Sequence, residues 1–358
     1  MPLVLRTSRA DHGAPRRAQP VGRRPYLDGV EGSTTQAIEI GLVNNMPDAA
    51  LEATERQFVE VLGAAAGRHL VRLHLFSLPQ LPRGEAARAY LALAYAPIGT
   101  LAEANLDALI VTGNEPRAAS LDREPYWDAL TALIDWAEHN TISTIWSCLA
   151  AHAAVLHLDG VRRHRLEEKC FGVFPCDLME DDPLLADAPT SFSISHARLN
   201  ELRESELVPH GYRVLTRSPR AGVDTFVKQW RSLFVFFQGH PEYELCSIAR
   251  EYRRDMGRFL RGESSSCPPM PSGYFDAQGE AALAAFTARA RQNPHPDLLP
   301  CYPEDLRQKS DLIENWGAPA VSMYRNWLLY LAERKRECVP RFRERKTPGH
   351  SPFTRWRR

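Results

Sequence analysis

Apolar positions along this chain follow two rhythms that alternate. Ile38, Ile40, Leu42 and Val43 form a short apolar run closed by Asn44-Asn45-Met46-Pro47, which predicts a buried strand over 38–43. Over 48–66, Leu51, Phe58, Val59 and Leu62 recur at helical spacing. Val71, Leu73 and Leu75 alternate with polar residues and predict a strand over 71–76. A third strand is expected over 106–111, where Thr112-Gly113 stops it. Leu130, Leu133, Ile134 and Ala137 share one face of a helix over 126–138. A short strand over 143–147 then runs into Cys148, and 149–158 reads as a helix. Strands alternating with helices, and apolar almost throughout, predict an α/β fold with a mostly parallel sheet flanked by helices.

The second half is less regular. Strands are expected over 170–174, 191–195, 212–215, 225–230 and 232–237, some of them antiparallel. A long helix over 243–260 follows Gly239-His240-Pro241-Glu242, and two more are expected over 277–290 and 321–335. Residues 1–36 hold four prolines and little periodicity, which predicts a poorly ordered lead-in. The expected organisation is a catalytic domain over 37–262, a linker over 263–276, a helical C-terminal region over 277–338 packed on that domain, and a basic tail over 339–358.

Composition narrows the function. Of 358 residues, 44 are Lys or Arg and 44 are Asp or Glu, so no global basic surplus points to nucleic acid or a membrane surface. The basic stretches before residue 25 and over 341–358 read as solvated tails, with an anionic partner as the alternative. Seven cysteines, widely spaced and without a CxxC pair, exclude a zinc ribbon. No metal-ligand spacing links Cys148, His196, His210 and His240. With no apolar leader after Met1 and no apolar run of spanning length, a reduced, cytoplasmic setting is expected.

The chemistry concentrates at two strand ends. In Ile145-Trp146-Ser147-Cys148-Leu149-Ala150-Ala151, an apolar strand meets a cysteine and small residues open a helix. A side chain on such a turn is presented at the carboxyl edge of the sheet, beside helix N–H groups that lower a thiol pKa and can hold an oxyanion. A buried core cysteine is the alternative. In Phe237-Gln238-Gly239-His240-Pro241-Glu242, a histidine follows an apolar strand with a carboxylate two residues on. A cysteine nucleophile needs a base and the base needs an orienting group, which Cys148, His240 and Glu242 would supply. An ordinary loop histidine beside a surface glutamate is the alternative. His152, one helical turn after Cys148, suits a packing or hydrogen-bonded role; His157 and His164 look like ordinary helix and loop residues.

Over 38–331 the residues resemble the homoserine O-succinyltransferases and related O-acetyltransferases, whose fold is related to class I glutamine amidotransferases. The resemblance rests on Asn44-Asn45-Met46-Pro47 with Thr54-Glu55-Arg56-Gln57-Phe58, and on Leu106-Asp107-Ala108-Leu109-Ile110-Val111-Thr112-Gly113. It continues through Glu168-Lys169-Cys170-Phe171-Gly172-Val173-Phe174, Gly239-His240-Pro241-Glu242-Tyr243, Glu251-Tyr252-Arg253-Arg254-Asp255 and Asn326-Trp327-Leu328. It implies that Cys148 carries an acyl thioester, His240 is the base and Glu242 orients it. It also implies that Lys169 contacts substrate near the thioester and that Arg254 binds the amino acid's carboxylate, a task suited to a bidentate guanidinium. Acyl-CoA would be a co-substrate, no cofactor would be needed, and a homodimer would be the expected assembly.

Three departures from the family's pattern bear on substrate choice. Asn114-Glu115-Pro116-Arg117 puts an arginine at the position that selects the acyl donor, which points to an anionic donor such as succinyl-CoA; an outward position or contact with CoA phosphates also suits Arg117. Ala197 stands where the family carries a substrate-pocket serine, which opens the acceptor to alcohols other than homoserine. Leu149-Ala150 replaces the usual Trp-Gly after the nucleophile. The leading expectation is therefore a homoserine O-succinyltransferase of methionine biosynthesis. Acetyl-CoA or a serine-like acceptor is the nearest alternative. A cysteine hydrolase or amidotransferase is the second, and a non-catalytic binding protein the third.

Overall fold

The computed structural model of the protein describes residues 3–6 and 37–342. Its strands are β1 (Leu3–Arg6), β2 (Ile38–Val43), β3 (Val71–Phe76), β4 (Ala108–Val111), β5 (Ser143–Ser147), β6 (His164–Leu178), β7 (Ser191–Glu201), β8 (Arg213–Val214), β9 (Thr216–Ser218), β10 (Gly222–Val223), β11 (Thr225–Gln229) and β12 (Leu233–Phe237). Its helices are α1 (Asp48–Ala65), α2 (Glu85–Ala94), α3 (Trp127–Asn140), α4 (Leu149–Asp159), α5 (Glu204–Leu207), α6 (Ser247–Leu260), α7 (Ala277–Gln292) and α8 (Ala318–Phe342). The fold is α/β, as the alternation predicts. Among the described residues no helix is long and apolar enough to cross a membrane. The chain divides into two compact units, one of residues 1–146, 229–234 and 327–358, the other of 147–228 and 235–326, with β5, β12 and α8 running through both. This grouping differs from the division expected at 262.

In the first unit the strand order is β1-β3-β2-β4-β5, and each neighbouring pair is parallel. Ile40, Leu42 and Val43 are fully buried, as strands covered on both faces require. Gly41 gives up its side chain to packing: a Cβ there would lie 2.7 Å from both Leu106 and Leu109 side chains. Beyond β5, the N–H of Leu233 donates to Ile142 O (3.0 Å), which brings in the start of β12. Trp146 packs edge-on against Phe234, with ring centroids 5.3 Å apart. The later turns of α8 are fixed by Trp327, whose indole N–H donates to Ser143 Oγ (2.9 Å). One expectation is corrected here: ordered structure begins before Ile38, because Leu3–Arg6 pairs with Val71–His74. Three apolar residues in a proline-rich stretch were too short a signal to read as a strand. Residues 1–2, 7–36 and 343–358, which make up the rest of the expected lead-in and nearly all of the basic tail, lie outside the described residues.

In the second unit, β12, β11 and β8 are neighbours in that order, β11 and β8 antiparallel. A separate four-stranded antiparallel sheet runs β10-β9-β6-β7. β6 is far longer than expected, since a register shift between Arg165 and Cys170 breaks the alternation that reveals a strand. Leu283, Phe286 and Ala290 of α7 join Ile248, Tyr252 and Met256 of α6 in one buried cluster. The Ser/Pro-rich stretch before α7 is tied down rather than loose. Val173 N–H donates to Ser272 O (2.8 Å) and Ser272 N–H to Phe171 O (3.0 Å). Gly172, with φ +132°, is required there, since a Cβ would sit 2.2 Å from Ser272 O.

Candidate active site

Cys148 stands between β5 and α4 with φ 53° and ψ −113°, a backbone state costly for any residue but glycine. The strain is held by its surroundings. Its N–H donates to Phe237 O (2.7 Å), while its carbonyl accepts from Ala151 N (3.0 Å) and His152 N (3.3 Å). Ala150, Ala151, Ala153 and Ala154 are buried, so small side chains let the helix sit close to its neighbours. The thiol is half-buried at the start of α4, where the helix dipole favours negative charge.

His240 is set by a loop whose main chain is held on every side. Ser195 clamps it twice: His240 N–H donates to Ser195 O (2.8 Å), and Ser195 Oγ donates to His240 O (2.6 Å). Gly239 N–H donates to Asp224 Oδ1 (3.0 Å), and a Cβ on Gly239 would lie 2.6 Å from that oxygen and from Ile194 Cγ2. The Gln238 amide donates to Leu202 O and Val223 O, and its oxygen faces His152 Nε2 at 3.1 Å. The ring's Nδ1 lies 2.8 Å from Glu242 Oε1. Cys148 acts on the same ring through its charge and a side-chain hydrogen bond. Burial opposes a charged ring. The negative charges and hydrogen bonds of Glu242 and Cys148 outweigh it, so the imidazolium persists well above its ordinary pH range. Glu242 is buried; Ser147 Oγ also approaches its Oε1 (3.4 Å), and its Oε2 has no hydrogen-bond partner among the described residues.

Next to the ring lies a cluster of opposite charges. Tyr243 stacks on His240 with centroids 4.3 Å apart and planes 17° from parallel, and its hydroxyl donates to Glu251 Oε2 (3.2 Å). Lys169 Nζ donates to Glu251 Oε1 (2.7 Å) and Asp255 Oδ2 (2.6 Å) and lies 4.1 Å from the Phe171 ring centre. Arg254 reaches Glu251 Oε1 (3.1 Å) and Asp255 Oδ1 (2.8 Å), with 44% of its side chain exposed. Asp255 is held below the usual carboxylate range: burial pushes it up, but Lys169 and Arg254 prevail. Ala197 pairs with Phe171 across the β6–β7 ladder and is half-buried against the same apolar cluster as Tyr243.

Two further imidazoles in this unit are held neutral. His152 falls to about 3, first through burial and then through the charges of Arg198 and Arg163. His196 is lowered well below its ordinary value by burial, Arg198 and His240. His196 lies 3.6 Å from buried Asp224, whose other oxygen accepts from Thr225 Oγ1 (2.7 Å) and Thr216 Oγ1 (3.0 Å).

Cys148, His240 and Glu242 thus meet, and Lys169 and Arg254 converge on shared carboxylates. Arg117 belongs to the other unit. Its side chain is exposed, and its N–H and that of Ala118 both donate to Glu124 Oε1 (2.6 Å each). Sequence reasoning missed Ser195 and Asp224 as supports of the base, Tyr243 as its stacking partner, and Glu251 and Asp255 as bridges. The last two had a signal, because their i,i+4 spacing puts both carboxylates on one face of α6. No group of three metal-ligating side chains occurs among the described residues.

A family model described as homoserine O-succinyltransferase matches residues 30–337. The chain is 54% identical over 300 residues to a homoserine O-succinyltransferase of Rhodopseudomonas palustris, covering 84% of this chain and 90% of that protein. It is 48% identical to the one of Bradyrhizobium japonicum, covering 83% and 90%, and 44% identical to that of Methylorubrum extorquens, covering 90% and 98%. Among solved structures it is similar to a glutamine amidotransferase of Methylobacillus flagellatus, at 15% identity and TM-score 0.48, covering 83% of this chain and 96% of that one.

Proposed function

The chain belongs to the homoserine O-succinyltransferase family, and from that footing we propose that it moves the succinyl group of succinyl-CoA to the side-chain hydroxyl of L-homoserine through a thioester on Cys148. The observation that carries this reading is the His240 ring, bonded to Glu242 on one side and to the Cys148 sulfur on the other.

The reactive form pairs a Cys148 thiolate with a His240 imidazolium. The Cys148 thiolate attacks the thioester carbon of succinyl-CoA, and the oxyanion that forms is met by the N–H groups that open α4. When the carbon–sulfur bond to CoA breaks, His240 gives its proton to the leaving thiolate. Acylation also changes the base. With the thiolate consumed, its charge and hydrogen bond no longer favour the imidazolium, so the ring's proton affinity drops and it becomes a neutral base. The ring then removes the homoserine hydroxyl proton as that oxygen attacks the acyl carbon, and Cys148 leaves as thiolate. Glu242 holds the tautomer that both steps need.

On this reading Arg254 takes the amino acid's carboxylate and Lys169 contacts substrate near the thioester; each would exchange a bond to Glu251 or Asp255 for one to substrate. A cytoplasmic setting, where acyl-CoA is supplied, suits this reading, and the product enters methionine biosynthesis. Steady-state rates at crossed substrate concentrations test the scheme. Parallel double-reciprocal lines are expected, whereas intersecting lines, which require both substrates bound together, would contradict the thioester route.

A further inference from the structure

We infer that Tyr243 is a positioning residue that couples the bound acceptor to the orientation of the His240 ring during thioester discharge. The inference rests on the proposed transfer through Cys148. Two observations meet at this side chain. Its ring lies nearly flat on the imidazole at 4.3 Å, and its hydroxyl is tied to Glu251 Oε2 at 3.2 Å. Glu251 in turn shares its other oxygen between Lys169 (2.7 Å) and Arg254 (3.1 Å). One aromatic residue therefore connects the base to the two cations assigned to substrate.

The need for such a support differs between the two half-reactions. In the free enzyme three groups fix the imidazole: Glu242 at Nδ1, the Cys148 sulfur, and the Tyr243 face. Once the sulfur is acylated, its bond to the ring is lost. Glu242 still holds one nitrogen, but rotation about the bond to the ring is then restrained chiefly by the stacked face. A base must lie within hydrogen-bond reach of the proton it takes, so loose tilt costs rate. When the amino acid's carboxylate draws Arg254 or Lys169 from Glu251, the anchor of the tyrosine hydroxyl changes with it. Filling the acceptor site and setting the base thus become linked events.

The test separates the half-reactions by rapid quench and intact mass. For Tyr243→Phe, which keeps the stack and cuts the link, discharge by saturating homoserine should fall roughly tenfold and acylation by succinyl-CoA less than threefold. For Tyr243→Leu, discharge should fall roughly a hundredfold and remain the more damaged step. Equal losses in both steps for both variants, or discharge at the wild-type rate in Tyr243→Phe, would overturn the inference. Absence of an adduct on wild-type Cys148 would overturn the reading of the site and the inference with it, whereas a wild-type adduct with unaltered variants would sink the inference alone.

Discussion

Three buried imidazoles lie in the unit that holds the nucleophile, and their partners give them different charges. His240 faces Glu242 and Cys148 and stays charged; His152 faces an amide and the fields of two arginines and stays neutral; His196 is neutral beside Arg198. Glu242 is the largest favourable influence on the His240 charge, so Glu242→Gln removes it while keeping a hydrogen-bonding group. Burial then acts with less opposition and lowers the ring's pKa. The acid limb of the pH–rate profile for discharge, which needs a neutral ring, should move to lower pH, and the maximal rate should fall by about 10²- to 10³-fold. An unmoved limb would mean that Glu242 does not set the ring's charge. At this scale the three central residues were legible because each sits at or just after the end of an apolar strand. Tyr243 was quoted only as part of a motif, and nothing in one sequence says that a tyrosine three residues on will stack back on the ring. Ser195 was hidden for a different reason: it acts through hydrogen bonds from a strand to a loop 45 residues further along the chain.

At the scale of elements, the loop joining β12 to α6 is where local geometry and chemistry depend most on each other. Gly239 is the tightest point, since a methyl group would enter the space of Asp224 and Ile194. Gly239→Ala should cost about 1–3 kcal/mol of stability and displace the His240 main chain, lowering the transfer rate at least tenfold. Denaturant unfolding together with activity checks both, and an unchanged midpoint would contradict the packing argument. The regular elements were readable where burial is complete, as in Ile38–Val43, whose bounds agree with the periodicity. They were obscured where the pattern is broken or diluted. The shift between Arg165 and Cys170 hid most of β6, and α2 carries a single buried residue, Ala94, so its sequence shows no strong apolar face. The stretch around Ser272 read as a linker from its Ser and Pro content, yet it bonds to β6 through its main chain, and main-chain bonds leave little trace in composition.

Across the whole molecule, Lys plus Arg balance Asp plus Glu at 44 each, so no net field steers an anionic acyl-CoA and recognition falls to local cations. Stability should also carry the mark of the buried histidines. His152 is neutral when folded down to about 3 but protonates near its ordinary value when unfolded. The unfolded chain therefore binds more protons below about pH 6.5, and stability is lost as pH falls from there towards 3. His196 acts in the same direction. His240 acts oppositely, because its raised value contributes stability below the unfolded pKa that is lost as pH rises through the folded one. His152→Gln, which keeps an amide donor near Gln238, should flatten the acid limb of unfolding free energy against pH by on the order of 2–4 kcal/mol between pH 7 and 4. The same slope in both proteins would contradict a neutral His152. The α/β class was legible from the alternation of strand and helix. The central claim, a thioester on one cysteine, is tested most directly by intact mass after rapid mixing with succinyl-CoA alone. A single succinyl adduct that maps to Cys148, is absent in Cys148→Ala and disappears on adding homoserine is the predicted result; transfer to homoserine at the wild-type rate by Cys148→Ala would contradict it.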